Sequence, residues 1–420
     1  MDITLTNSTT QAAAYSSLYS RYVDEAAFLW LLRSVVVEQP HYYAEDIAEL
    51  EQRLQEQLDG LMTSLEYGWQ ACETMLELGE PGEVFAATVT ALRSRDMAKI
   101  QQAVETGLAH PRATPGLISA LGWLPTEVVQ PWIDKFLAGK DLRHKALGVA
   151  ACSVRRTDPG ESLTYILERE DCRQYAPLYT RALRLVGELR RQDLMPAVQA
   201  ERRADESEGR FWALWSAILL GDLAAVSELQ AYVFNPGPHQ AWALPLAFRV
   251  LPVEQGREWI SALAKDPAQA RSVIQATGIL GDPHAVNWLI GKMTEPKLAR
   301  VAAEAFTQIT GIDLERHQFT RESPHDVEQI PSDDTEDDHV GLDEDENLPW
   351  PDVEKVATLW RRHGQHFLVG RRYFLGRPLT PEWLNDKLTT GTQRQRHAAA
   401  MELALLGDQP LPNTRTRIDA

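Results

Sequence analysis

The feature that most constrains this chain is a short marker that returns at a fixed interval. LLGDLAAVSEL at 219–229 and ILGDPHAVNWL at 279–289 place Asp222 and Asp282 two periods of 30 residues apart. Asp193, in ELRRQDLMPAV, stands 29 residues before Asp222, and Asp158, in RRTDPGESL, stands one longer unit earlier. A further copy, LLGDQPL, lies at 405–411. A period of this length means one supersecondary unit used repeatedly, too small to bury its apolar side without a neighbour.

Each marker reads as the junction between two helices. The first helix is predicted to end at a residue able to turn left-handed, such as Gly221 or Gly281. Asp is then placed to cap the next helix, and Pro at the following position costs little because its missing N–H has no helical partner. Asp158-Pro159 and Asp282-Pro283 show this order, and Glu161 completes a capping-box pattern after Asp158. The segments between markers, KALGVAACSV, RALRLVGEL and RVAAEAFTQI, are rich in Ala, Leu and Val. Sustained period-two alternation and Asn-Gly hairpin turns are missing, so the predicted class is all-α.

The organisation follows. Residues 1–20 read as a flexible leader and 21–79 as an N-terminal helical cap. In the cap, Ile47, Leu50, Leu54, Leu58, Leu61 and Leu65 form one helical stripe. Residues 80–315 hold the repeats. Residues 322–347 read as an acidic loop insertion, 348–411 as a C-terminal helical cap and 412–420 as a tail. In FWALWSAIL, Trp212, Trp215 and Leu219 share one face, with Phe211, Leu214 and Ile218 opposite. That pattern suits a helix buried on both sides.

Charge narrows the function classes. The net charge is −18, which disfavours binding to phosphate backbones and to anionic membranes. Twelve acidic residues and no Lys or Arg lie between Glu322 and Glu346, so two thirds of that charge is one local feature. The N-terminus MDITLTNSTTQ has no signal-peptide pattern and no apolar run reaches the length of a membrane span. Three scattered cysteines, Cys72, Cys152 and Cys172, make no disulfide framework. The expected setting is cytoplasmic.

No phosphate-binding glycine loop, HExxH or GxSxG motif occurs, so no catalytic or cofactor site is expected. Asp343, Asp345, Asn347 and Glu354 match part of a calcium loop, but Leu348 stands where the loop needs Gly. His363 and His366 form HxxH beside Arg361 and Arg362, two ligands short of a zinc site. The candidate partner-binding residues are Trp350, set between two prolines, and Arg361, Arg362, Arg371, Arg372 and Arg377. They belong to a basic stretch, 355–396, that also holds Lys355, Lys387, Arg394 and Arg396. This stretch reads either as a dock for an acidic partner or as the neutraliser of the chain's own acidic insertion.

The Gly-Asp markers between paired Ala/Leu-rich helices resemble HEAT and HEAT-like repeats. DEAAFLWLLRS, PGEVFAA, GLISALGWLP, FWALWSAILLGD, GDPHAVNWLIGKM, ITGIDL, LPWPD and QRQRHAAAMELAL together resemble a family of bacterial HEAT-repeat proteins often encoded near spike proteins and adaptors of type VI secretion systems. The resemblance implies an α-solenoid and a non-catalytic adaptor or chaperone-like role toward a spike or effector, without nucleic acid or cofactor. An immunity protein that neutralises a co-encoded toxin is a second reading. A HEAT-like lyase is a third.

Overall fold

The computed structural model describes residues 3–204, 208–324, 344–407 and 409–417, with side chains from residue 14 onward. The described residues are helical apart from one two-stranded hairpin and an isolated bridge. They form two compact units: Met1–Glu38, Tyr42–Ser216 and Gln409–Ala420 in the first, Gln39–His41 and Ala217–Asp408 in the second.

The first unit opens with α1 (Ile3–Val36), where the sequence suggested a leader over 1–20. No Gly or Pro interrupts residues 3–36, and aromatic residues at helical spacing anchor the early turns. Tyr15 and Tyr19 stack on Tyr67 at 5.6 and 5.9 Å, and the Tyr19 hydroxyl meets Thr63 at 2.8 Å. The stripe of the cap is buried from Ile47 to Leu61 along α2 (Ala44–Met62). That helix stops earlier than the stripe suggested. Thr63 returns its hydroxyl to the Gly60 carbonyl, Ser64 is extended, and Leu65 begins α3 (Leu65–Leu76).

Short helices follow in pairs: α4 (Pro81–Ser94), α5 (Met97–Ala109), α6 (Thr114–Trp123), α7 (Thr126–Ala138), α8 (Leu142–Arg155), α9 (Glu161–Glu168), α10 (Glu170–Arg173), α11 (Ala176–Leu189), α12 (Met195–Arg202) and α13 (Arg210–Leu219). Alternate helices stack, α4 on α6, α6 on α8 and α8 on α11, while α5 packs on α4 and α7 on α8. The spacing at one contact demands glycine. A Cβ on Gly116 would stand 1.8 Å from the Pro81 carbonyl oxygen, so any side chain would force α4 and α6 apart. Trp30, Phe85 and Trp123 carry the apolar contact from α1 through α4 to α6 at ring separations of 5.9 and 5.6 Å. In α13, Phe211, Leu214, Trp215, Ile218 and Leu219 are buried, and Trp212 is half-buried.

The second unit repeats the plan with α14 (Gln230–Val233), α15 (Gln240–Val250), α16 (Val253–Leu263), α17 (Ala270–Leu280), α18 (Val286–Lys292) and α19 (Pro296–Thr310). Here α15 packs on α17 and α17 on α19. The unit ends with α20 (Val353–His363), the hairpin β1 (Tyr373–Phe374) and β2 (Arg377–Pro378), α21 (Pro381–Thr390) and α22 (Gln393–Leu406). The strands are antiparallel, with Tyr373 opposite Pro378.

The markers behave as a ladder of helix ends. Gly221 and Gly281 have positive φ as predicted, Gly311 joins them, and Arg95, Arg156 and Arg190 are left-handed in the first unit. The acids that follow differ in their work. Asp282 caps by accepting from His284 N–H. Asp158 does not cap α9. Gly160 holds the N-cap position, and Asp158 accepts the Gly160 N–H in a local turn and pairs with Arg191 at 2.7 Å. Asp222 makes no side-chain cap bond. The copy at 405–411 is not a left-handed end, since Gly407 has φ −113°.

Each unit also lays a strap of chain across these helix ends, formed in the second unit by β1 and the left-handed turn at Leu375 and Gly376. In the second unit Tyr373 N–H donates to the Gly281 carbonyl (2.8 Å), Leu375 N–H to Gln308 (2.7 Å) and Gly376 N–H to Ile309 (3.0 Å). In the first, residues 409–417 do the same work, where the sequence suggested a tail from 412. Leu411 N–H donates to the Glu188 carbonyl (2.9 Å), Asn413 to Val154 (2.6 Å), and Arg417 lies over Trp123.

Candidate protein-docking surface

The six candidate residues all lie in the second unit, and the structure gives them different work. Arg361 and Arg362 occupy the last turn of α20, whose Asp352 N-cap accepts from Lys355 N–H. Both arginines are exposed. Among the described residues Arg361 bonds within its own helix, to the Ala357 carbonyl and Thr358. The Arg362 side chain has no partner among the described residues.

Arg372 is not available to a partner. Its guanidinium donates to the carbonyls of Leu280 and Arg249 and pairs with buried Glu402 at 2.7 Å. It therefore ties the strap to α15, α17 and α22. Trp350 is half-buried and fixed by its backbone, with its carbonyl accepting Arg321 N–H (2.9 Å) beside the Thr320–Pro351 bridge. The Arg300 guanidinium lies 4.8 Å from its ring centre.

Arg371 and Arg377 come together with a residue the sequence reading passed over, Trp383. With Pro378, Thr380, Glu382 and Asp386 they line an open groove of about 560 Å³. Thr380 caps α21 through Trp383 N–H, and the indole N–H donates to the Phe374 carbonyl at 2.8 Å, which fixes the ring. The Arg377 guanidinium stands 4.3 Å and the Lys387 ammonium 4.4 Å from that ring. Arg371 is exposed and its side chain is unpartnered among the described residues. The missed signal was local, for Trp383 and Lys387 are four apart on one helix and so share a face. The Lys387 ammonium also pairs with Asp386 at 3.0 Å, so the groups this groove offers an acidic side chain are the guanidinium groups of Arg371 and Arg377 beside the fixed indole.

The acidic insertion is only partly described, because 325–343 lies outside the described residues. Its end is anchored. Asp345 is buried and takes both terminal nitrogens of Arg271 at 2.6 and 2.7 Å, while its carbonyl accepts from Arg300 at 2.8 Å. Arg394 donates to the Glu344 carbonyl at 3.1 Å and pairs with Glu304 at 3.0 Å. The acids at this end are met by Arg271 in α17, which pairs with Asp345 and Glu344, while Arg394 of the basic stretch holds the Glu344 carbonyl and pairs with Glu304 of α19. The carboxylate of Asp345 is committed to Arg271, which removes it from the partial calcium pattern, and Asp343 lies outside the described residues. His363 and His366 stand with ring centres 6.0 Å apart. Among the described residues no group of three metal-ligating side chains is gathered, and no helix is long and apolar enough to cross a membrane. Cys72, Cys152 and Cys172 are buried free thiols, and burial pushes Cys72 up to about 12 and Cys152 up to about 11.

Comparison with protein-family models, with curated proteins and with solved structures gave no match.

Proposed function

We propose that this protein is a non-catalytic binding scaffold, an α-solenoid of HEAT-like hairpins that docks another protein through the groove around Trp383. The observation that carries the reading is the pairing of a fixed indole with Arg377 and Lys387, next to the unpartnered Arg371. Fixed aromatic and arginine side chains lose little freedom on binding, which is why they dominate interface energies. The repeated helix ends and the alternate stacking of α4, α6, α8 and α11 support the solenoid reading. The resemblance supplies the sharper version, a cytoplasmic adaptor or chaperone-like accessory of a type VI secretion system that holds a spike or effector.

The test is affinity purification of the tagged full chain from its native host, beside the Arg371→Glu/Arg377→Glu double variant. A spike or effector should co-elute near stoichiometry with the wild type and fall at least about tenfold with the variant, about 1.4 kcal/mol. Equal recovery by both proteins would remove the groove from the interface. Absence of any partner from the wild type would refute the scaffold.

A further inference from the structure

A second cluster of arginines lies in the first unit, around a fully buried carboxylate. Glu188, in the last turn of α11, has no exposed surface. One carboxylate oxygen accepts from Arg184 Nε at 2.9 Å, and the other accepts the Ser153 hydroxyl and pairs with Arg156 at 3.1 Å. Burial opposes ionisation of Glu188, but Arg184, Arg156 and Arg181 together with Ser153 outweigh it and hold the carboxyl below its ordinary range. Arg156 is fixed from its other side, by its Nε bond to the Leu411 carbonyl at 2.8 Å. Arg184 is fixed against the Trp212 ring at 5.0 Å.

Arg181 is what this arrangement leaves unexplained. It precedes Arg184 by three residues and Glu188 by seven, so all three share one face of α11. Its Nε is buried with no hydrogen-bond partner among the described residues. The charged groups that act on it there are Arg184, Glu188 and Arg156, two cations and one anion. A buried Nε–H without a hydrogen bond is costly, and neighbouring cations add to the cost of holding the charge there. A purely structural role for the cluster accounts for Arg156, Arg184 and Ser153, which tie α8 to α11 through Glu188. It does not account for a third cation left without a bond. Arg181 is only partly buried as a residue, so a ligand has a route to it.

We propose that Arg181, with Arg184 and Arg156 beside it, binds an oxyanion, a carboxylate or phosphate group brought by a ligand. Such a group would accept from the terminal N–H groups of Arg181, which unlike Nε are not fully buried, in the two-point geometry that guanidinium offers. Glu188 would act as the positioning residue that holds Arg184 and Arg156 in place. The proposal is independent of the groove around Trp383.

Binding is measured on the full chain by isothermal titration calorimetry at fixed ionic strength, with inorganic phosphate in one arm and a short Glu-rich peptide in the other. The variants are Arg181→Met, Arg181→Lys and, as a control at an exposed cation of the other unit, Lys265→Gln. Binding in either arm should weaken at least about tenfold in Arg181→Met and be partly restored in Arg181→Lys, with Lys265→Gln unchanged. Response to phosphate assigns the site to free or ester phosphate, and response to the peptide alone assigns it to a protein carboxylate. Thermal melting without ligand keeps the reading separate from folding. Arg181→Met should melt close to the wild type, since Arg184, Arg156 and Ser153 still hold the Glu188 carboxylate. Absence of binding in both arms, or equal binding by wild type and Arg181→Met, would overturn the proposal. So would a marked loss of stability in Arg181→Met without ligand.

Discussion

Asp345→Ala tests whether the end of the acidic insertion is part of the folded second unit. The Asp345 side chain is 6% exposed and its partner Arg271 is 32% exposed. Removing one member of a buried pair costs about 3–5 kcal/mol, because the other charge is left without compensation. Arg271 already reaches water, so it can rehydrate and recover part of that cost. Its pair with exposed Glu344, at 3.0 Å, recovers little, as surface pairs contribute roughly 0–1 kcal/mol. The expected loss is therefore about 2–3 kcal/mol. For a unit of roughly 200 residues this lowers the melting temperature by about 4–12 °C. The control is Glu346→Ala, an exposed neighbour whose loss should stay within about 0.5 kcal/mol. Differential scanning calorimetry separates the transitions of the two units, and only that of the second should move. The double variant Asp345→Ala/Arg271→Met should be no worse than Asp345→Ala, because it removes the stranded cation. If Asp345→Ala and Glu346→Ala melt together, the anchoring described above is wrong.

Two further outcomes follow from particular helix ends. Gly281→Ala should cost at least about 2 kcal/mol and Gly221→Ala only about 1 kcal/mol, measured by urea denaturation. Both are left-handed and share the strain of that conformation, but a Cβ at 281 also meets the Tyr373 carbonyl at 2.3 Å, whereas nothing lies within 4 Å at 221. Glu188→Gln should flatten the acid side of the stability profile. The carboxyl is held below its reference value of 4.5 in the fold, so its contribution is complete above the unfolded pKa and is lost as pH falls through the lower folded one. The variant should be less stable at pH 7, and the gap in melting temperature should close as pH falls below about 4.5. A gap that stays constant from pH 7 to pH 3 would contradict that assignment.

What the sequence disclosed was local and what it concealed was long-range. The stripe from Ile47 to Leu61 and the left-handed ends at Gly221 and Gly281 depend on neighbours within a turn or two, and they read correctly. The end of α2 did not, because Leu65 continues the apolar spacing while the break lies in the Gly60–Thr63 hydroxyl bond. The first turns of α1 looked like a polar leader because Tyr15 and Tyr19 find Tyr67 some fifty residues away. Arg371 and Arg372 are adjacent and chemically identical in the sequence. One faces solvent and the other spends its donors on Leu280, Arg249 and Glu402, and nothing in the local pattern separates them. The marker acids fail for the same reason. Asp282 caps a helix, pairs with Arg257 at 2.6 Å and accepts Gly370 N–H at 2.9 Å, while Asp158 serves a turn, and both follow an identical rule in the chain.

The straps bear on where a partner can bind within each unit. The last carbonyls of a helix have no partner in their own helix and would otherwise be met by water. In the second unit the segment at 373–376 satisfies those of α17 and α19, and in the first the segment at 411–413 satisfies those of α8 and α11. That edge is consequently occupied by the chain's own residues in both units, through backbone in the second and through the Leu411 N–H and the Asn413 side chain in the first. A partner strand would have to displace several bonds to use it. Arg372 shows how firmly the second unit closes the edge, for it locks the strap with a pair to buried Glu402. The groups left with unspent donors are then the informative ones. Among the described residues of the second unit, Arg362 and Arg371 are of this kind, and Arg371 lies near the fixed ring of Trp383. In the first unit Arg181 is one, beside the buried Glu188. Binding capacity in this fold is read from donors that remain unsatisfied after the straps are in place, and not from the number of arginines in a stretch of sequence.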